Sequence, residues 1–317
     1  MRLVPYSDIT ASTPAPQALM AALKQGFIDF SLGFYDIAPV GYLKLPAGEL
    51  HLKFGRAELG EWVVIKLASG CYDNHLRGLP SSYGCIMVMD AATGQMVALL
   101  EDRGLLTELR TAAAAAMLAK EVAPDAKVLG VIGTGTQGYY QALYHCRALG
   151  LKQVQIYSRS PDRVETLASK LAAEGIQVVR HCSAEALCRQ SDLIVTATPS
   201  EEPIVALDWL KPNVHINAVG ADSPGKRELS ETVVQSAKLL LADSMSQSLE
   251  HGEFQYLAKA QAEEVREFGE FLASGERVGD GISIADFTGV AVQDIIIASL
   301  VYREYLKRQD GSWKGSL

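Results

Sequence analysis

A glycine-rich segment in the middle of the chain constrains the fold more than any other feature. Its glycines are Gly133, Gly135 and Gly138, and they stand between an apolar run at residues 128–132 and a helical stretch at 139–148. The bare Gly-X-Gly-X-X-Gly pattern is weak, but after a strand and before a helix it is typical of dinucleotide-binding folds. There the first glycine permits a tight turn, the second the close approach of a pyrophosphate, and the third the packing of helix against strand.

Short apolar runs alternate with helical stretches on the C-terminal side of this segment, as in βαβ units. Runs of this length and spacing are what a parallel sheet covered on both faces requires. The pattern predicts strands over residues 128–132, 154–157, 193–197, 214–219 and 239–241. We therefore expect an α/β fold with a Rossmann-type, doubly wound parallel sheet. His215, on one of these apolar strands, is predicted to be a hydrogen-bonded structural histidine.

The residues before the sheet have a different pattern. They predict a helix over 13–32, strands over 50–54, 62–68, 85–90 and 95–101, and an Ala-rich helix over 108–122. A last helix, over 290–307, could return to pack on this first part of the chain. Mixed helices and strands of this kind predict a second domain of α/β type.

Composition excludes several classes of protein. The formal net charge is −8, which argues against a nucleic-acid surface but leaves room for an anionic small substrate. No apolar run approaches the ~18 residues needed to span a bilayer, and no secretory segment is visible. Five scattered cysteines, without a CxxC pair or a paired-histidine motif, indicate reduced thiols and no metal site. We expect a soluble cytoplasmic protein that binds neither nucleic acid nor membrane.

The residues at the end of the second strand of the sheet indicate whether the ribose of the cofactor carries a 2′-hydroxyl or a 2′-phosphate. Ser158 lies twenty residues beyond Gly138, where an NAD-type site carries Asp or Glu. Arg159 offers a fork of donors to a 2′-phosphate, with the hydroxyls of Ser158 and Ser160 beside it. The alternative is that Ser160 caps the helix beginning at Pro161 while Arg159 is solvated, and both can hold. NADP(H) is therefore favoured over NAD(H).

Three further motifs resemble those of the ornithine cyclodeaminase/mu-crystallin family. They are Leu-Arg-Thr-Ala-Ala at 109–113, His-Ile-Asn-Ala-Val-Gly-Ala-Asp-Ser-Pro-Gly-Lys at 215–226, and Asp-Phe-Thr-Gly-Val-Ala-Val-Gln-Asp at 286–294. The resemblance implies a Rossmann domain, residues 119–295, inserted into a mixed α/β substrate-binding and dimerisation domain, residues 1–118 and 296–317. It also implies a homodimer and hydride transfer between a nicotinamide and the α-carbon of an amino or imino acid.

That chemistry needs a cation for the substrate carboxylate and a group that moves a proton at the nitrogen. Arg110 can hold a carboxylate bidentately, and Lys66, in a strand that reads as largely buried, can have its pKa brought toward neutrality. By resemblance, these two match the family's carboxylate-binding arginine and its strand lysine. Asp222 matches the aspartate that handles the substrate amine in cyclodeaminases. The alternatives are a surface ion pair for Arg110 with Glu108 or Asp102, a lysine snorkelling from an edge strand, and a turn aspartate.

Two departures from the family pattern bear on the substrate. Many family members carry an arginine soon after a Pro-Val sequence, whereas Pro39-Val40 is followed here by Gly41 and Tyr42. The glutamate that cyclodeaminases carry on the next strand is replaced by the sequence His51-Leu52-Lys53. Lys53 can stand in for the missing cation, and His51 can carry a proton. Both changes argue against strict ornithine cyclisation and favour another small amino or imino acid, such as one with a second carboxylate that Lys53 could meet.

The sequence therefore predicts an imino-acid or ketimine reductase, or an L-amino-acid dehydrogenase working in reverse. A cyclodeaminase that releases ammonia and recycles its cofactor is the second hypothesis. A non-catalytic, dinucleotide-dependent binding protein of the crystallin type is the third. Besides the three loop glycines and Ser158 to Ser160, the predicted cofactor contacts are Thr111, Thr134, Thr136, Gln137, Thr198 and Val219.

Overall fold

The computed structural model describes residues 1–309, which form two compact units. Unit 1 comprises Met1–Arg110 and residues 290–309, and unit 2 comprises Thr111–Gly289. Within these residues no helix combines the length and the apolar character needed to cross a bilayer.

Both units combine strands and helices, which are numbered in chain order. The strands are β1 (Arg2–Val4), β2 (Tyr35–Ile37), β3 (Gly41–Leu45), β4 (Gly48–Ala57), β5 (Trp62–Gly70), β6 (Ser82–Asp90), β7 (Met96–Leu100), β8 (Leu129–Ile132), β9 (Gln153–Tyr157), β10 (Gln177–Arg180), β11 (Leu193–Thr196), β12 (His215–Ala218), β13 (Leu239–Ala242), β14 (Arg266–Glu267) and β15 (Ser283–Asp286). The α-helices are α1 (Tyr6–Ser12), α2 (Pro16–Ser31), α3 (Leu105–Val122), α4 (Thr136–Leu149), α5 (Pro161–Ala173), α6 (Ala184–Cys188), α7 (Glu231–Ser236), α8 (Met245–His251), α9 (Lys259–Ala262), α10 (Phe268–Ser274) and α11 (Ala291–Gln309). Three 3₁₀ turns cover Tyr72–Arg77, Leu207–Trp209 and Glu253–Tyr256.

Unit 1 is built on a mixed sheet with the order β1-β7-β6-β5-β4-β2, with β3 also paired to β4. Only β1 and β7 run parallel, and the other described pairs are antiparallel. Helix α11 packs against β4 and β5. Strand β5 is central, so the alternative of a lysine snorkelling from an edge strand is wrong for Lys66.

Unit 2 contains the predicted parallel sheet, in the order β10-β9-β8-β11-β12-β15-β13-β14. Every described pairing in it is parallel. The chain moves from β8 to β9 and β10 on one side and to β11 and β12 on the other. The point where the order reverses, between β8 and β11, is where doubly wound sheets bind ligands at the carboxyl ends of their strands. The predicted fold class is confirmed.

A hydrogen-bonded chain of buried polar side chains runs through unit 2. His145 Nδ1 lies 2.8 Å from the Gln141 carbonyl oxygen, so this nitrogen is the donor and Nε2 accepts from Asn217 Nδ2 at 2.9 Å. Asn217 Nδ2 also donates to the Ala115 carbonyl, and its Oδ1 accepts from His215 Nε2 at 2.9 Å. His215 Nδ1 then accepts from the Ser283 hydroxyl. One assignment of tautomers satisfies every member, and His215 is the hydrogen-bonded structural histidine that the sequence predicts.

Candidate active site

A buried carboxylate, that of Asp294, joins the two cationic residues that the sequence singles out. Its Oδ1 accepts from Lys66 Nζ at 2.8 Å and from Arg110 Nε at 3.1 Å. Arg110 also donates through Nη1 to Gln293 Oε1 at 2.5 Å. The four residues expose at most 3% of their surface. The surface ion pair proposed as an alternative for Arg110 is wrong, because Arg110 is buried and its guanidinium binds Asp294 and Gln293.

Three elements of unit 1 position this cluster. Lys66 lies in β5, Arg110 lies in the second turn of α3, and Gln293 and Asp294 lie in the first turn of α11. The Asp102 carboxylate accepts from the Leu106 amide, which explains why α3 begins at Leu105, before the predicted residue 108. A carboxylate in the first turn of α11 is stabilised by the positive end of the helix dipole.

The cluster changes the proton affinity of Lys66. Burial lowers the pKa of the Lys66 ammonium to about 7, with repulsion from Arg110 and Lys53 acting in the same direction and Asp294 opposing them. Burial raises the pKa of the Asp294 carboxyl, but Arg110 and Lys66 more than offset this and leave it below its usual value. At neutral pH, therefore, Asp294 is ionised while Lys66 can hold or release a proton.

Two polar atoms of the cluster remain without a hydrogen-bond partner among the described residues. They are Asp294 Oδ2, an acceptor, and Gln293 Nε2, a donor, and both are fully buried. Buried groups without partners are rare in folded proteins, because each loses its bonds to water.

Strand β4 adds a second line of polar side chains. Lys53 stands directly opposite Lys66 in the β4–β5 ladder and is also buried. His51 and Glu49 follow at alternate positions on the same face, with His51 Nε2 at 3.8 Å from Glu49 Oε2. The ring of His51 packs edge-on against Tyr42. The structure thus places Lys53 opposite Lys66 and His51 two residues before Lys53 in β4.

The glycine loop of unit 2 has the geometry that each glycine position demands. Gly133 has φ +123°, in the region that favours glycine, and a Cβ there would meet the Ala197 carbonyl oxygen at 2.4 Å. A Cβ at Gly138 would lie 2.2 Å from the Gly133 carbonyl oxygen, so only glycine lets α4 approach the loop so closely. At Gly135, by contrast, nothing lies within 4 Å of an added Cβ.

The predicted 2′-phosphate residues lie at the end of β9. The Thr134 hydroxyl donates to Ser158 Oγ at 3.1 Å, which connects the glycine loop to this strand end. Arg159 is exposed and makes no ion pair with any residue in the described range. Ser160 occupies the N-cap position of α5, but its side chain makes no capping hydrogen bond. Its hydroxyl is therefore not committed to the capping role that the sequence allowed.

The other predicted cofactor residues of unit 2 are spread over several elements. Thr198 follows β11, and both its amide and its hydroxyl donate to Glu228 Oε1 at 2.7 Å. Thr111, in α3, and Val219, directly after β12, are buried. Thr136 and Gln137 open α4, and the Gln137 side chain accepts from Gln141.

Asp222 lies in the loop after β12, within unit 2. Its Oδ1 accepts from Lys226 Nζ at 2.6 Å and from the Ser223 hydroxyl at 3.2 Å. The side chain is 38% exposed, and the following residues turn at Gly225, where φ is +86°. Asp222 is therefore a loop residue in an ion pair, a setting compatible with both the turn role and the amine-binding role.

Sequence reasoning left open what Gln293 and Asp294 do, and it missed that they organise the cluster. Lys66 and Asp294 are 228 residues apart in the chain, so no local spacing links them. One signal was present: two adjacent polar residues interrupt the otherwise apolar start of α11, Val-Ala-Val-Gln-Asp-Ile-Ile-Ile at 290–297. On a buried helix such residues need partners or a ligand.

Comparison with known proteins extends the resemblance to the whole described chain. The family model for the ornithine cyclodeaminase/mu-crystallin family matches residues 6–309. An archaeal alanine dehydrogenase, solved as a dimer with bound NAD, is 28% identical with a TM-score of 0.88, covering 97% of this chain and 96% of the other. The Δ1-pyrroline-2-carboxylate reductase of Thermococcus litoralis, solved with NADH and L-proline, is 26% identical with a TM-score of 0.90 and covers 98% of both chains.

A third solved structure, the iminosuccinate reductase of Paracoccus denitrificans with NAD⁺, is 28% identical with a TM-score of 0.86. It covers 98% of this chain and 97% of that one. The match of the family model over nearly the full length agrees with the glycine loop and the three motifs. The chain belongs to the ornithine cyclodeaminase/mu-crystallin family.

Proposed function

We propose that this NAD(P)(H)-dependent oxidoreductase, which acts on the C–N bond at the α-carbon of an amino or imino acid, works as an imino-acid reductase through the Lys66–Arg110–Asp294 cluster. The observation that carries the proposal is the pairing of two buried cations on one buried carboxylate in unit 1. Such an arrangement is costly to build unless it serves a ligand or a reaction.

Each residue of the cluster has a separate task. Arg110 uses Nε and Nη1 within the cluster, and its other terminal nitrogen can donate to the substrate carboxylate. Lys66 gives a proton to the imine nitrogen in reduction and takes one from the amine in oxidation, which a pKa of about 7 allows in either direction. When bound, the nicotinamide supplies or accepts the hydride. Asp222 remains a proposed amine-binding group.

The residues of unit 2 fit a dinucleotide. The open space over Gly135 leaves room for a pyrophosphate, and α4 begins there without a side-chain cap, so its first amides can donate to phosphate oxygens. Binding of a nicotinamide dinucleotide accords with the NAD and NADH held by the structural relatives. The preference for NADP(H) is a proposal supported by exposed Arg159, with Ser158 and Ser160 beside it.

The identity of the substrate is proposed from β4. Lys53 and Lys66 stand directly opposite each other in β4 and β5, and the charge of Lys53 lowers the pKa of Lys66. A second carboxylate on the substrate would bring negative charge beside both side chains, which supports an imino acid with two carboxylates. We expect the Lys53→Met variant to lose activity on such a dicarboxylate while retaining activity on a monocarboxylic imino acid.

The experiment is a substrate panel with purified protein and either NADPH or NADH. It contains pyruvate, oxaloacetate and 2-oxoglutarate, each with ammonia, together with the cyclic imines pyrroline-2-carboxylate and piperideine-2-carboxylate. Oxidation of the reduced cofactor with one or more of these supports the reductase. Ornithine and lysine are tested separately with NADP⁺ or NAD⁺, because a cyclodeaminase begins by oxidising its substrate. Ammonia released from ornithine or lysine, without net change in the reduced-nicotinamide absorbance, identifies a cyclodeaminase instead. If none of these reactions occurs, the enzyme proposal fails and the non-catalytic binding role takes its place.

A further inference from the structure

We propose that Gln293 and Asp294 bind the substrate directly: Asp294 Oδ2 accepts a hydrogen bond from the substrate nitrogen, and Gln293 Nε2 donates one to the substrate carboxylate. The inference rests on the proposed function and adds to it the group that recognises nitrogen. It adds Asp294, in unit 1, as a nitrogen-binding group that the sequence did not single out.

The two unpartnered atoms have complementary chemistry. Asp294 Oδ2 is an acceptor and Gln293 Nε2 is a donor, and both are buried. An α-amino or α-imino acid presents the matching pair, an N–H group and a carboxylate, on the same α-carbon. Because the side chains of Gln293 and Asp294 both accept from Arg110, their free atoms lie near one guanidinium and can meet two groups of one small molecule.

The existing hydrogen bonds fix which atoms are available. A guanidinium only donates hydrogen bonds, so Arg110 Nη1 must bind the oxygen of the Gln293 side-chain amide. The NH₂ group of that amide takes no part in this bond. Lys66 and Arg110 both donate to Asp294 Oδ1, so Oδ2 is the oxygen left for a ligand. The substrate carboxylate would then meet one charged donor, on Arg110, and one neutral donor, on Gln293.

The assignment gives the reduction a balanced course. Lys66 transfers a proton to the imine nitrogen, and the resulting iminium N–H donates to the ionised Asp294. The carboxylate stabilises the positive charge, hydride adds to the α-carbon, and the π electrons of the C=N bond become the lone pair of the product amine. A 2-oxo acid has a carbonyl oxygen without hydrogen at this position, so Asp294 repels it. The site therefore discriminates nitrogen from oxygen at the α-carbon.

The test measures binding rather than turnover. Calorimetric titration of the enzyme with NADPH uses the L-amino acid produced from the best panel substrate and, separately, its 2-hydroxy counterpart. We expect the wild type to prefer the amino acid and Asp294→Asn to bind it about 100-fold more weakly, with little change for the hydroxy acid. A matched acid-to-amide change lower on the same helix, Glu304→Gln, should leave both affinities as in the wild type.

Gln293→Glu provides the second arm, because it keeps an oxygen for Arg110 and removes the free donor. It should weaken both ligands about equally, since both carry the carboxylate. If Asp294→Asn weakens amino and hydroxy acids alike, Asp294 only orients Lys66 and Arg110, and the inference is overturned although the enzyme is still a reductase. If the wild type binds neither ligand and turns over no panel substrate, it is the proposed function that fails.

Discussion

The proton affinity of Lys66 is set by opposing charges. Its ammonium is almost fully buried and is influenced by Arg110 and Lys53, which repel it, and by Asp294, which attracts it. Mobile protons in enzymes are usually carried by groups whose pKa lies near the working pH. Lys66 meets this condition, because burial and the neighbouring cations lower the pKa of its ammonium to about 7.

The titration of Lys66 predicts opposite pH dependences for the two directions of reaction. With a pKa near 7, Lys66 is protonated below that pH and neutral above it. Imine reduction needs the proton, so kcat/KM should fall as pH rises through about 7, whereas amine oxidation needs the neutral amine and should rise. Initial rates in both directions across this range check the prediction. In Lys66→Arg, which stays charged, the inflection should disappear; an unchanged profile would show that another group titrates.

We expect Arg159 to determine the preference for NADP(H) over NAD(H). Its exposed guanidinium has no ion pair among residues 1–309 and lies beside Ser158 and Ser160, so a 2′-phosphate would gain a charged fork of donors there. Arg159→Ala should weaken NADPH binding by about 10-fold or more and leave NADH binding almost unchanged, as measured by fluorescence titration. Arg163→Ala, an exposed arginine one turn into α5, is the matched control. Equal losses for the two cofactors would refute the assignment to NADP(H).

Site residues could be predicted where their neighbours in the sequence indicate their role, and not where that role depends on a distant part of the chain. Gly133, Gly135 and Gly138 have a fixed spacing between a strand and a helix. Lys66 could be singled out because a charged side chain in an apolar strand is costly to bury without a partner or a function. Asp294 had no such context, since the group that explains it lies 228 residues earlier in the chain. Contacts of that separation arise from packing, which sequence patterns do not encode.

At the scale of elements, the polar chain from His145 to Ser283 ties together the parts that hold the glycine loop. It links α4 to β12 and β15 and also reaches the α3 backbone at Ala115. Burial is the main reason why the pKa of each imidazole, on His145 and on His215, is lowered to about 4. Both rings are therefore neutral in the folded protein wherever the sheet is intact.

This network predicts loss of stability in acid. Between pH 6.5 and about 4 the unfolded histidines bind protons that the folded ones refuse, so the free energy of unfolding falls as pH falls. The slope is at most about 1.4 kcal/mol per pH unit for each histidine. Denaturant unfolding at pH 7 and pH 5 should show a smaller difference in His145→Gln than in the wild type. Equal differences in the two proteins would mean that the pKa of His145 is not depressed.

The elements themselves were predicted unevenly. The five apolar runs of unit 2 became β8, β9, β11, β12 and β13, with no end shifted by more than one residue. Strand β15, Ser-Ile-Ala-Asp, was missed although it is central, because its two ends are polar. It is recognised as a strand only through pairing with β12 and β13 on either side. Helix α1 was missed as well, and α2 begins at Pro16 rather than at residue 13.

At the scale of the whole molecule, we propose a homodimer. Apolar side chains are exposed on one face of β3 and β4 of unit 1, with Leu43 at 58% and Phe54 at 37%. Exposed apolar side chains grouped in this way are typical of interaction surfaces, and one structural relative is a dimer. Light scattering should give a mass of about twice 34.2 kDa. Leu43→Lys should lower it toward that of one chain; a wild-type mass of 34.2 kDa would contradict the proposal.

The imidazole hydrogens of His145 and His215 offer a direct way to observe whether unit 2 is folded. Each imidazole keeps one hydrogen, on His145 Nδ1 and on His215 Nε2, held by an oxygen 2.8 or 2.9 Å away and shielded from bulk water. Hydrogens in such positions exchange slowly with solvent and resonate far downfield in a proton NMR spectrum. Two sharp lines in that empty region would mark an intact sheet without any label. Their loss would report local opening of the sheet around His145 and His215.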